Sequence, residues 1–260
     1  MDLKLSGRTA LITGSSKGIG LSVAQSFARE GVHVCLVARS AQKLEREAAE
    51  IARATGVTAR TLAADLADGA ARERVVQTFP DIDILVNNAG AIPGGTIEDV
   101  DETAWRAGWD LKVFGYVGLT RLYLRKMKER RHGVIINIIG AGGERLDFGY
   151  IAGAAGNAGL MAFSRAIGGT SPDFGVRVIG VNPGPVLTDR VEVLGRKRAA
   201  AEFGDENRWR ESFAKMPFGR PAACEEIAAS VVFLASDLSS YTSGTIVTID
   251  GGLTNRGRLP

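Results

Sequence analysis

The sequence predicts a doubly wound α/β fold, in which about seven parallel strands form one sheet with helices on both faces. Short apolar or β-branched runs alternate along the chain with segments whose apolar residues recur at helical spacing, a pattern typical of βαβ units. The chain has 260 residues, of which 45% are hydrophobic, and no segment resembles a linker. We therefore expect a single domain over residues 1–260, with ligands bound beyond the carboxyl ends of the strands.

The first βαβ unit opens the chain. Thr9 to Thr13 and Val32 to Ala38 read as short strands, and apolar residues at helical spacing predict a helix from Ile19 to Ala28 between them. This helix ends at Glu30-Gly31, where glycine takes its usual capping place.

The turn from the first strand into the first helix has the sequence TGSSKGIG, Thr13 to Gly20. Gly14 permits a tight turn, Gly18 permits close approach of a ligand to the backbone, and Gly20 permits the helix to pack on the strand. The unpaired amides of the first helical turn favour an anion such as a dinucleotide pyrophosphate. The alternative is a glycine-rich turn that binds nothing.

The alternation of strands and helices continues through the rest of the chain. Gly56 closes the second helix, and Pro221 introduces the last one. The remaining predicted strands are Val57 to Ala63, Ile82 to Val86, Val134 to Ile138, Val176 to Val181 and Thr245 to Ile249. The remaining predicted helices are Ala41 to Thr55, Asp101 to Arg130, Gly156 to Ile167 and Ala222 to Ser236.

Composition and charge argue against several classes of protein. The net charge is +3, and Lys and Arg are interspersed with Asp and Glu, so no nucleic-acid surface is indicated. The N-terminus lacks the apolar core of a signal peptide, and no run approaches the roughly 18 apolar residues that a membrane helix needs. We therefore expect a cytoplasmic protein without nucleic-acid or membrane partners.

The cysteines and histidines predict neither a metal site nor a disulfide framework. Cys35 lies in an apolar strand and Cys224 in a polar stretch, without CxxC spacing. His33 and His132 are the only histidines, one in a strand and the other in a polar turn. This placement also excludes hydrolysis by a Ser/His/Asp triad.

Several separated motifs together resemble the classical short-chain dehydrogenase/reductase family, and the likeness covers essentially the whole length. The motifs are TGSSKGIG, Asp65-Leu66, Asn87-Asn88-Ala89-Gly90, Asn182-Pro183-Gly184 and Asp250-Gly251-Gly252. In the family they are, in order, the cofactor loop, the adenine-side pair, the strand-four motif, the segment beside the nicotinamide and the C-terminal signature. Individual motifs keep structural alternatives, since Asn87 to Gly90 could brace neighbouring strands and Pro183-Gly184 could end one.

The resemblance implies a Rossmann-type nicotinamide dinucleotide site, a substrate lid from Asp189 to Pro217 and a homotetramer. The main dimer face would use the helices of Asp101 to Arg130 and Gly156 to Ile167, the latter rich in small residues that permit close approach. The alternative is a monomer in which both helices face solvent. The cofactor-binding residues implied by the resemblance are Gly14, Ser16, Lys17, Gly18, Ile19, Gly20, Arg39, Asp65, Leu66, Asn88, Ala89, Gly90, Pro183, Gly184, Val186 and Thr188.

The end of the second strand predicts that NADP(H) is preferred over NAD(H). Sites that prefer NAD place an acidic residue there to hold the ribose 2′-hydroxyl, whereas Val37-Ala38-Arg39-Ser40 offers a guanidinium and no carboxylate. Arg39 and Lys17 could pair with the additional phosphate. The alternative is that both are ordinary exposed bases near a loop.

The four catalytic residues of the family are not retained. Laid on this chain, the family's serine falls at Gly140, its tyrosine at Gly153, its lysine at Asn157 and its asparagine at Lys112. Matching residues on both sides, with no insertion between them, fix this register. Since glycine has no proton to give, the family's carbonyl reduction cannot run here by its ordinary route.

Two of these changes are reciprocal, because Lys112 and Asn157 exchange the family's Asn and Lys. In the family the two positions lie close together behind the nicotinamide ribose. We therefore predict that the Lys112 ammonium reaches the site from the opposite wall, while Asn157 anchors it or a water. Burial could also lower the pKa of Lys112 enough for proton transfer.

The proton donor must then come from a shifted position. Tyr150, one helical turn before Gly153, is the predicted donor, and Asp147 is a second candidate. Gly140 and Gly153 would be space opened for a bulkier substrate. The alternative is drift after catalysis was lost, with Lys112 solvated and Tyr150 merely packing.

The lid segment carries many basic residues, namely Arg190, Arg196, Lys197, Arg198, Arg208, Arg210 and Lys215. One interpretation is a solvated helix face, partnered by Glu192, Glu202, Asp205, Glu206 and Glu211. The other is capture of an anionic substrate, such as a carboxylate or an acyl-CoA.

Two classes of function remain open. The first is an NADP(H)-dependent oxidoreductase with a non-standard active site, acting on a small carbonyl, alcohol or enoyl substrate. The second is a nucleotide-binding protein without redox turnover, such as a sensor, a partner subunit or a non-redox enzyme. Pro183-Gly184 and Thr188 favour the first class, because a sensor need not retain the nicotinamide end.

Overall fold

The computed structural model describes residues 2–257, apart from the side chains of Arg190, Leu194, Lys197 and Arg198. It contains seven strands, β1 (Thr9–Thr13), β2 (His33–Ala38), β3 (Ala59–Ala63), β4 (Ile84–Asn87), β5 (Gly133–Ile138), β6 (Val176–Pro183) and β7 (Ile246–Ile249). They form one parallel sheet in the order β3-β2-β1-β4-β5-β6-β7. Because the strand order reverses between β1 and β4, a crevice opens at their carboxyl ends.

Helices cover both faces of the sheet, which confirms the predicted fold class. They are α1 (Gly18–Arg29), α2 (Ala41–Thr55), α3 (Gly69–Thr78), α4 (Glu102–Trp109), α5 (Gly115–Glu129), α6 (Ile151–Thr170), α7 (Asp189–Phe203) and α8 (Cys224–Ala235). Buried side chains of α1, α2 and α8, such as Phe27, Leu44 and Val231, form one apolar layer with the sheet. Those of α3 and α5, such as Val75 and Tyr123, form the layer on the other face.

The predicted helix from Asp101 to Arg130 is interrupted. Between α4 and α5, residues Asp110–Phe114 form a wider, π-helical turn. The Trp109 indole Nε1 just before this turn donates a hydrogen bond to the Ala152 carbonyl of α6, at 3.0 Å. Such single wide turns recur at functional sites, and this one carries Lys112.

Helix α3 has no counterpart among the predicted elements. Only three of its 10 residues, Ala71, Val75 and Val76, are buried, so the apolar residues show little helical periodicity. Its start is set by the Asp68 carboxylate, which accepts hydrogen bonds from the amides of Ala70 and Ala71.

The segment predicted as a lid is helical and has an apolar cluster of its own. Helix α7 is followed by a 3₁₀ segment, Glu206–Phe213. Ala199, Trp209 and Phe213 are buried together between the two. In the described residues 2–257, no helix is both long and apolar enough to cross a membrane.

Candidate active site

The glycine-rich turn borders a cleft of about 510 Å³ at the crevice between β1 and β4. Gly14 and Gly18 have φ angles of +65° and +58°, in the left-handed region that favours glycine. A Cβ on Gly14 would lie 2.9 Å from the Ala89 Cα, and one on Gly20 would lie 2.5 Å from the Gly14 carbonyl oxygen. Only glycine therefore fits where the turn presses against the end of β4.

Hydrogen bonds from the end of β4 hold this turn in place. The Thr13 hydroxyl oxygen accepts from the amides of Asn88 and Ala89, at 2.8 and 3.0 Å. The Asn88 side-chain amide donates to the carbonyls of Thr13 and Gly14. Thus Asn88 braces the strands as well as bordering the cleft, and the two interpretations of its motif are compatible.

Most of the predicted cofactor residues lie in this cleft. Those that line it are Gly14, Ser16, Lys17, Gly18, Ile19, Arg39, Leu66, Asn88, Ala89, Gly90 and Thr188. Pro183 and Gly184 line the neighbouring second cleft instead. The first cleft accommodates an elongated ligand that runs from the end of β2 across the glycine turn.

Three predicted cofactor residues line neither cleft. Gly20 packs the start of α1 against Gly14. The Asp65 carboxylate accepts a hydrogen bond from the Ala67 amide, in the turn before α3. Val186 is a buried core residue in an isolated β-bridge with Ala222. The assignment of these three residues to the cofactor site therefore stays a prediction.

The end of the cleft at β2 is basic. Arg39, Ser40 and Lys43 line it, and neither basic side chain has an acidic partner within the described part of the chain. Lys43 is absent from the predicted site, although its place in the first turn of α2 is a signal that could have found it. Lys17 is differently placed, since its ammonium lies 3.7 Å from the carboxylate of Asp189.

A second cleft of about 880 Å³ brings together the three predicted catalytic residues, Lys112, Tyr150 and Asn157. They come from the π-helical turn, the residue before α6 and α6 itself. Gly140, at the predicted serine position, lines the same cleft. The register that places these positions at one site is thus compatible with the geometry.

The Tyr150 ring lies directly over Gly153. A Cβ on Gly153 would be 2.0 Å from Cζ of Tyr150, and one on Gly142 would be 3.3 Å from the same ring. The interpretation of Gly153 as space for a bulkier substrate is therefore wrong, because the phenol ring fills that space. Tyr150 takes the place that a side chain at residue 153 would occupy.

Lys112 crosses from the π-helical turn toward the end of β5. A Cβ on Gly90 would lie 2.9 Å from Cδ of Lys112, so the lysine stem passes close over that glycine. Its Nζ donates a hydrogen bond to the Ile139 carbonyl, at 2.5 Å. Burial lowers the pKa of Lys112 to about 8, because the charged form loses hydration.

Tyr116 is a second tyrosine near this site, but its hydroxyl is already bound to the backbone. Its hydroxyl donates to the Ile138 carbonyl at 2.8 Å, and its side chain is fully buried. Burial raises its pKa well above the usual range, with the nearby Tyr150 adding to the effect. Tyr116 therefore supports the end of β5 rather than exchanging protons.

Asn157 is almost completely buried, at 2% exposure. Its Oδ1 has no hydrogen-bond partner among residues 2–257. Its Nδ2 lies 3.3 Å from the position of a Cβ on Gly140, so the missing side chain there leaves room beside the amide. A buried, unpartnered acceptor that borders a cleft is well placed to accept from a ligand or a water.

Two of the four described basic side chains of the predicted lid form ion pairs with glutamates, which is compatible with a solvated helix face. Arg196 binds Glu192 at 2.7 Å, and Arg208 binds Glu211 at 2.7 Å. Arg210 stacks on the ring of Trp209, with 4.3 Å from the guanidinium carbon to the ring centroid. The side chains of Arg190, Lys197 and Arg198 lie outside the described residues.

Lys215 is the exception in the lid, because it lines the second cleft. The same cleft is also lined by Arg145 and Asp147, in the loop after β5, and by Thr254 near the C-terminal end. Arg145 and Thr254 are absent from the predicted site. Neither lies in a motif or at a helical spacing that sequence alone could connect with Lys112.

The structure gives the histidines and cysteines no part in either cleft. His33 Nδ1 accepts a hydrogen bond from the Thr58 amide, and His132 lies 3.6 Å from Asp83. Burial raises the pKa of the Cys35 thiol to about 11, so it remains protonated at neutral pH.

Comparison with known proteins shows strong similarity over the whole chain. The family described as short chain dehydrogenase matches residues 8–199. The chain is 31% identical to the 3-oxoacyl-[acyl-carrier-protein] reductase FabG of Escherichia coli, over 96% of this chain and 99% of that protein. It is 34% identical to the 2-keto-3-deoxy-L-fuconate dehydrogenase of Xanthomonas campestris, over 97% and 82% respectively.

A solved structure with a closely similar fold is that of L-sorbose reductase from Gluconobacter frateurii, complexed with NADPH and L-sorbose. The TM-score is 0.92 and the sequence identity is 34%, over 98% of this chain and all of that one.

Proposed function

This chain belongs to the short-chain dehydrogenase family, and from that premise we propose that it is an NADP(H)-dependent oxidoreductase with a rearranged active site. The similar proteins are named as reductases and dehydrogenases, which supports redox turnover. They lend no support to a nucleotide-binding protein without turnover. The proposed substrate is a small carbonyl, alcohol or enoyl compound.

The first cleft fits a nicotinamide dinucleotide. Gly14, Gly18 and Gly20 form a backbone cradle without side chains, where the unpaired first amides of α1 would face the pyrophosphate of a bound dinucleotide. Asn88 keeps the cradle open by tying β4 to the glycine turn. When bound, the cofactor supplies or accepts a hydride. Pro183 and Gly184 border the neighbouring cleft, where the reactive ring would meet substrate.

The preference for NADP(H) is proposed from the basic end of the cleft. Arg39 and Lys43 are without acidic partners in the described part of the chain and line the wall where β2 ends. A 2′-phosphate placed there would gain charge-assisted hydrogen bonds from a guanidinium. Lys17 is proposed as a lesser contributor, since Asp189 already lies beside its ammonium.

Substituting Arg39 by alanine tests this preference. We expect Arg39→Ala to weaken NADP⁺ binding about tenfold to a hundredfold and to leave NAD⁺ binding unchanged, because only the former carries the 2′-phosphate. Calorimetric titration of both nucleotides measures the two affinities. Arg74→Ala, at an exposed position of α3, is the control. Equal wild-type affinity for the two nucleotides, or unchanged NADP⁺ affinity in Arg39→Ala, would refute the preference.

The observation that carries the catalytic proposal is the position of the Tyr150 ring over Gly153. The phenol borders the second cleft together with Lys112 and Asn157, although it starts one helical turn earlier than the family's tyrosine. We assign Tyr150 as the proton donor to the substrate oxygen during carbonyl reduction. Asp147 lines the same cleft, but its Oδ1 already accepts a hydrogen bond from the Gly149 amide.

Lys112 and Asn157 would support this proton transfer. Below about pH 8 the Lys112 ammonium is charged, and a positive charge in the cleft that the phenol borders favours the phenolate that forms when Tyr150 gives up its proton. The Ile139 carbonyl holds the ammonium at this position. The free Oδ1 of Asn157 can accept from a substrate hydroxyl or from a water that returns the proton.

Loss of the phenol hydroxyl tests the assignment of Tyr150. With a carbonyl substrate identified by NADPH oxidation, we expect Tyr150→Phe to lower kcat on the order of a hundredfold without changing cofactor affinity. Tyr241→Phe removes a hydroxyl from a fully exposed tyrosine and serves as the control. Wild-type turnover by Tyr150→Phe would show that the donor is another group.

The pH dependence of the activity tests the role of Lys112 separately. We expect reduction to slow as the pH rises through about 8, because the ammonium is then lost. Lys112→Met should lower kcat on the order of a hundredfold and should abolish this decline. An unchanged decline in Lys112→Met would assign the titration to another group.

We also propose that the protein is a homotetramer. The exposed positions of α6 are mostly small residues, Ala155, Gly159, Ala162, Ala166 and Gly169, with Arg165 among them. Near it, α4 and the π-helical turn expose an apolar cleft that includes Trp105, Trp109 and the half-exposed Phe114. Burial of these surfaces against a second copy of the chain would remove apolar area from water.

A further inference from the structure

We propose that the second cleft binds an anionic carbonyl compound, whose carboxylate or phosphate group is held at the mouth by Arg145 and Lys215. The orientation rests on the proposed function, since the carbonyl would lie toward Tyr150 and Lys112. The substrate class is therefore a small oxo-acid or oxo-phosphate rather than a neutral ketone or sugar.

Arg145 and Lys215 reach this cleft from separate parts of the chain. Arg145 lies in the loop between β5 and α6, and Lys215 follows the 3₁₀ segment of the lid. Both residues are exposed, as a ligand at the mouth requires. The Arg256 guanidinium donates to the Lys215 carbonyl at 2.7 Å, which fixes the lid backbone here and adds a third positive charge close by.

Arg145 and Lys215 lack the acidic partners that three arginines of this region have. Arg196, Arg208 and Arg220 each bind a glutamate at 2.7 Å. Arg145 and Lys215 have no carboxylate within 4.0 Å in the part of the chain that the structure describes. Their charges are therefore available to a ligand.

The two carboxylates near the mouth of the cleft already accept hydrogen bonds from other groups of the protein. Asp147 lines the cleft, but its Oδ1 accepts from the Gly149 amide. Glu144 accepts a hydrogen bond from the Thr248 hydroxyl at 2.9 Å. With Lys112, Arg145 and Lys215 against Asp147, the cleft lining carries three basic side chains and one acidic side chain. Its net charge is positive, which attracts an anion.

The interior of the cleft offers polar groups for the rest of such a ligand. The Asn157 Oδ1 and the Thr254 Oγ1 are both buried, and both lack a hydrogen-bond partner among residues 2–257. Because buried polar atoms are rarely left unpaired, these two are suited to hydrogen bonds with a bound polar molecule. A purely aliphatic ketone would leave both unsatisfied.

The test uses the complex of the protein with NADP⁺, in which the carbonyl group of the ligand cannot be reduced because the cofactor is already oxidised. Calorimetry compares acetoacetate with methyl acetoacetate, and dihydroxyacetone phosphate with dihydroxyacetone. Each pair shares a carbonyl and differs in its anionic group. We expect the anion of at least one pair to bind at least tenfold more tightly than its neutral partner, and we expect added salt to reduce this difference.

Substitutions identify the residues that hold the anion. Arg145→Met and Lys215→Met should each weaken binding of the anion about tenfold and leave the neutral ligand unaffected. Arg208→Met is the matched control, because this arginine lies in the lid, binds Glu211 and does not line the cleft. Acetoacetyl-CoA serves as a further ligand. If it alone shows the dependence on Arg145 and Lys215, the anion at the mouth is a phosphate of the coenzyme, and a small oxo-acid or oxo-phosphate as substrate is refuted.

Equal binding of charged and neutral ligands, no binding by any of them, or unchanged anion affinity in both variants would overturn the anion site. These results would leave NADPH-dependent turnover of a neutral carbonyl compound intact. Conversely, binding that depends on Arg145 and Lys215 in a protein that never oxidises NADPH would support the anion site and refute the proposed function.

Discussion

Gly153 and Tyr150 depend on each other at the candidate active site. The phenol ring of Tyr150 can lie where it does because residue 153 has no side chain, and a Cβ there would be 2.0 Å from Cζ. No rotamer of an alanine can avoid this contact, since Cβ is fixed by the backbone. The ring would have to leave its place over α6.

We therefore expect substitution of Gly153 by alanine to lower the activity without unfolding the protein. Alanine has higher helix propensity than glycine, and Tyr150 is only half-buried, so the fold should persist. Under the proposed function we expect kcat of Gly153→Ala to fall about as far as that of Tyr150→Phe, on the order of a hundredfold. Steady-state kinetics and thermal unfolding measure the two effects.

Gly69→Ala is the control for this substitution. Gly69 is the first residue of α3, and a Cβ there would meet the Arg72 guanidinium at 3.5 Å, an ordinary contact. Its activity should match that of the wild type. If Gly153→Ala retained full activity, the ring position over α6 would be irrelevant to catalysis.

At the scale of whole elements, the C-terminal end of α8 depends on a side chain from β6. The Arg177 guanidinium donates to the carbonyls of Leu234, Ala235, Ser236 and Thr242, at 2.8 to 3.2 Å. The last carbonyls of a helix have no partner within the helix and carry partial negative charge. Arg177 satisfies them and joins α8 to the sheet, although burial lowers its pKa.

Loss of this guanidinium should destabilise the protein. We expect Arg177→Met to lower the free energy of unfolding by about 2–3 kcal/mol, because four carbonyls lose a charged donor in a partly buried place. Urea denaturation measures the change. Arg74→Met, at an exposed position without an ion pair in the described residues, should stay within about 0.5 kcal/mol. A similar effect of both substitutions would contradict a specific role for Arg177.

At the scale of the whole molecule, the proposed homotetramer makes the small-residue face of α6 an interface. Gly159 is exposed on this face, and a Cβ there would meet nothing within 4 Å in the isolated chain. We expect the wild type to sediment as a tetramer at micromolar concentration. Gly159→Arg should dissociate it, because a long charged side chain prevents close approach of two helices.

Gln77→Arg places the same side chain on an exposed position of α3 and should leave the assembly unchanged. Sedimentation velocity distinguishes the species. A single monomer-sized boundary for the wild type would remove the proposal.

The sheet and its glycine turn follow from the sequence, because their causes are local. Buried parallel strands read as continuous apolar runs, and the predicted strands lie within two residues of the observed ones at every end. The turn at Gly14 and Gly18 needs left-handed backbone, which glycine supplies. By contrast the sequence does not predict α3, because its three buried residues give too weak a helical periodicity of apolar residues.

In the active site, too, some features follow from the sequence and others only from the tertiary structure. The sequence is enough to connect Lys112 with Asn157 and to select Tyr150, since each lies at or near a position marked by the family's motifs. It is not enough to show that the Tyr150 ring fills the space over Gly153, or that Arg145 and Lys215 border the same cleft. These facts depend on side-chain directions after irregular loops and on segments far apart in the chain, and packing in three dimensions sets both.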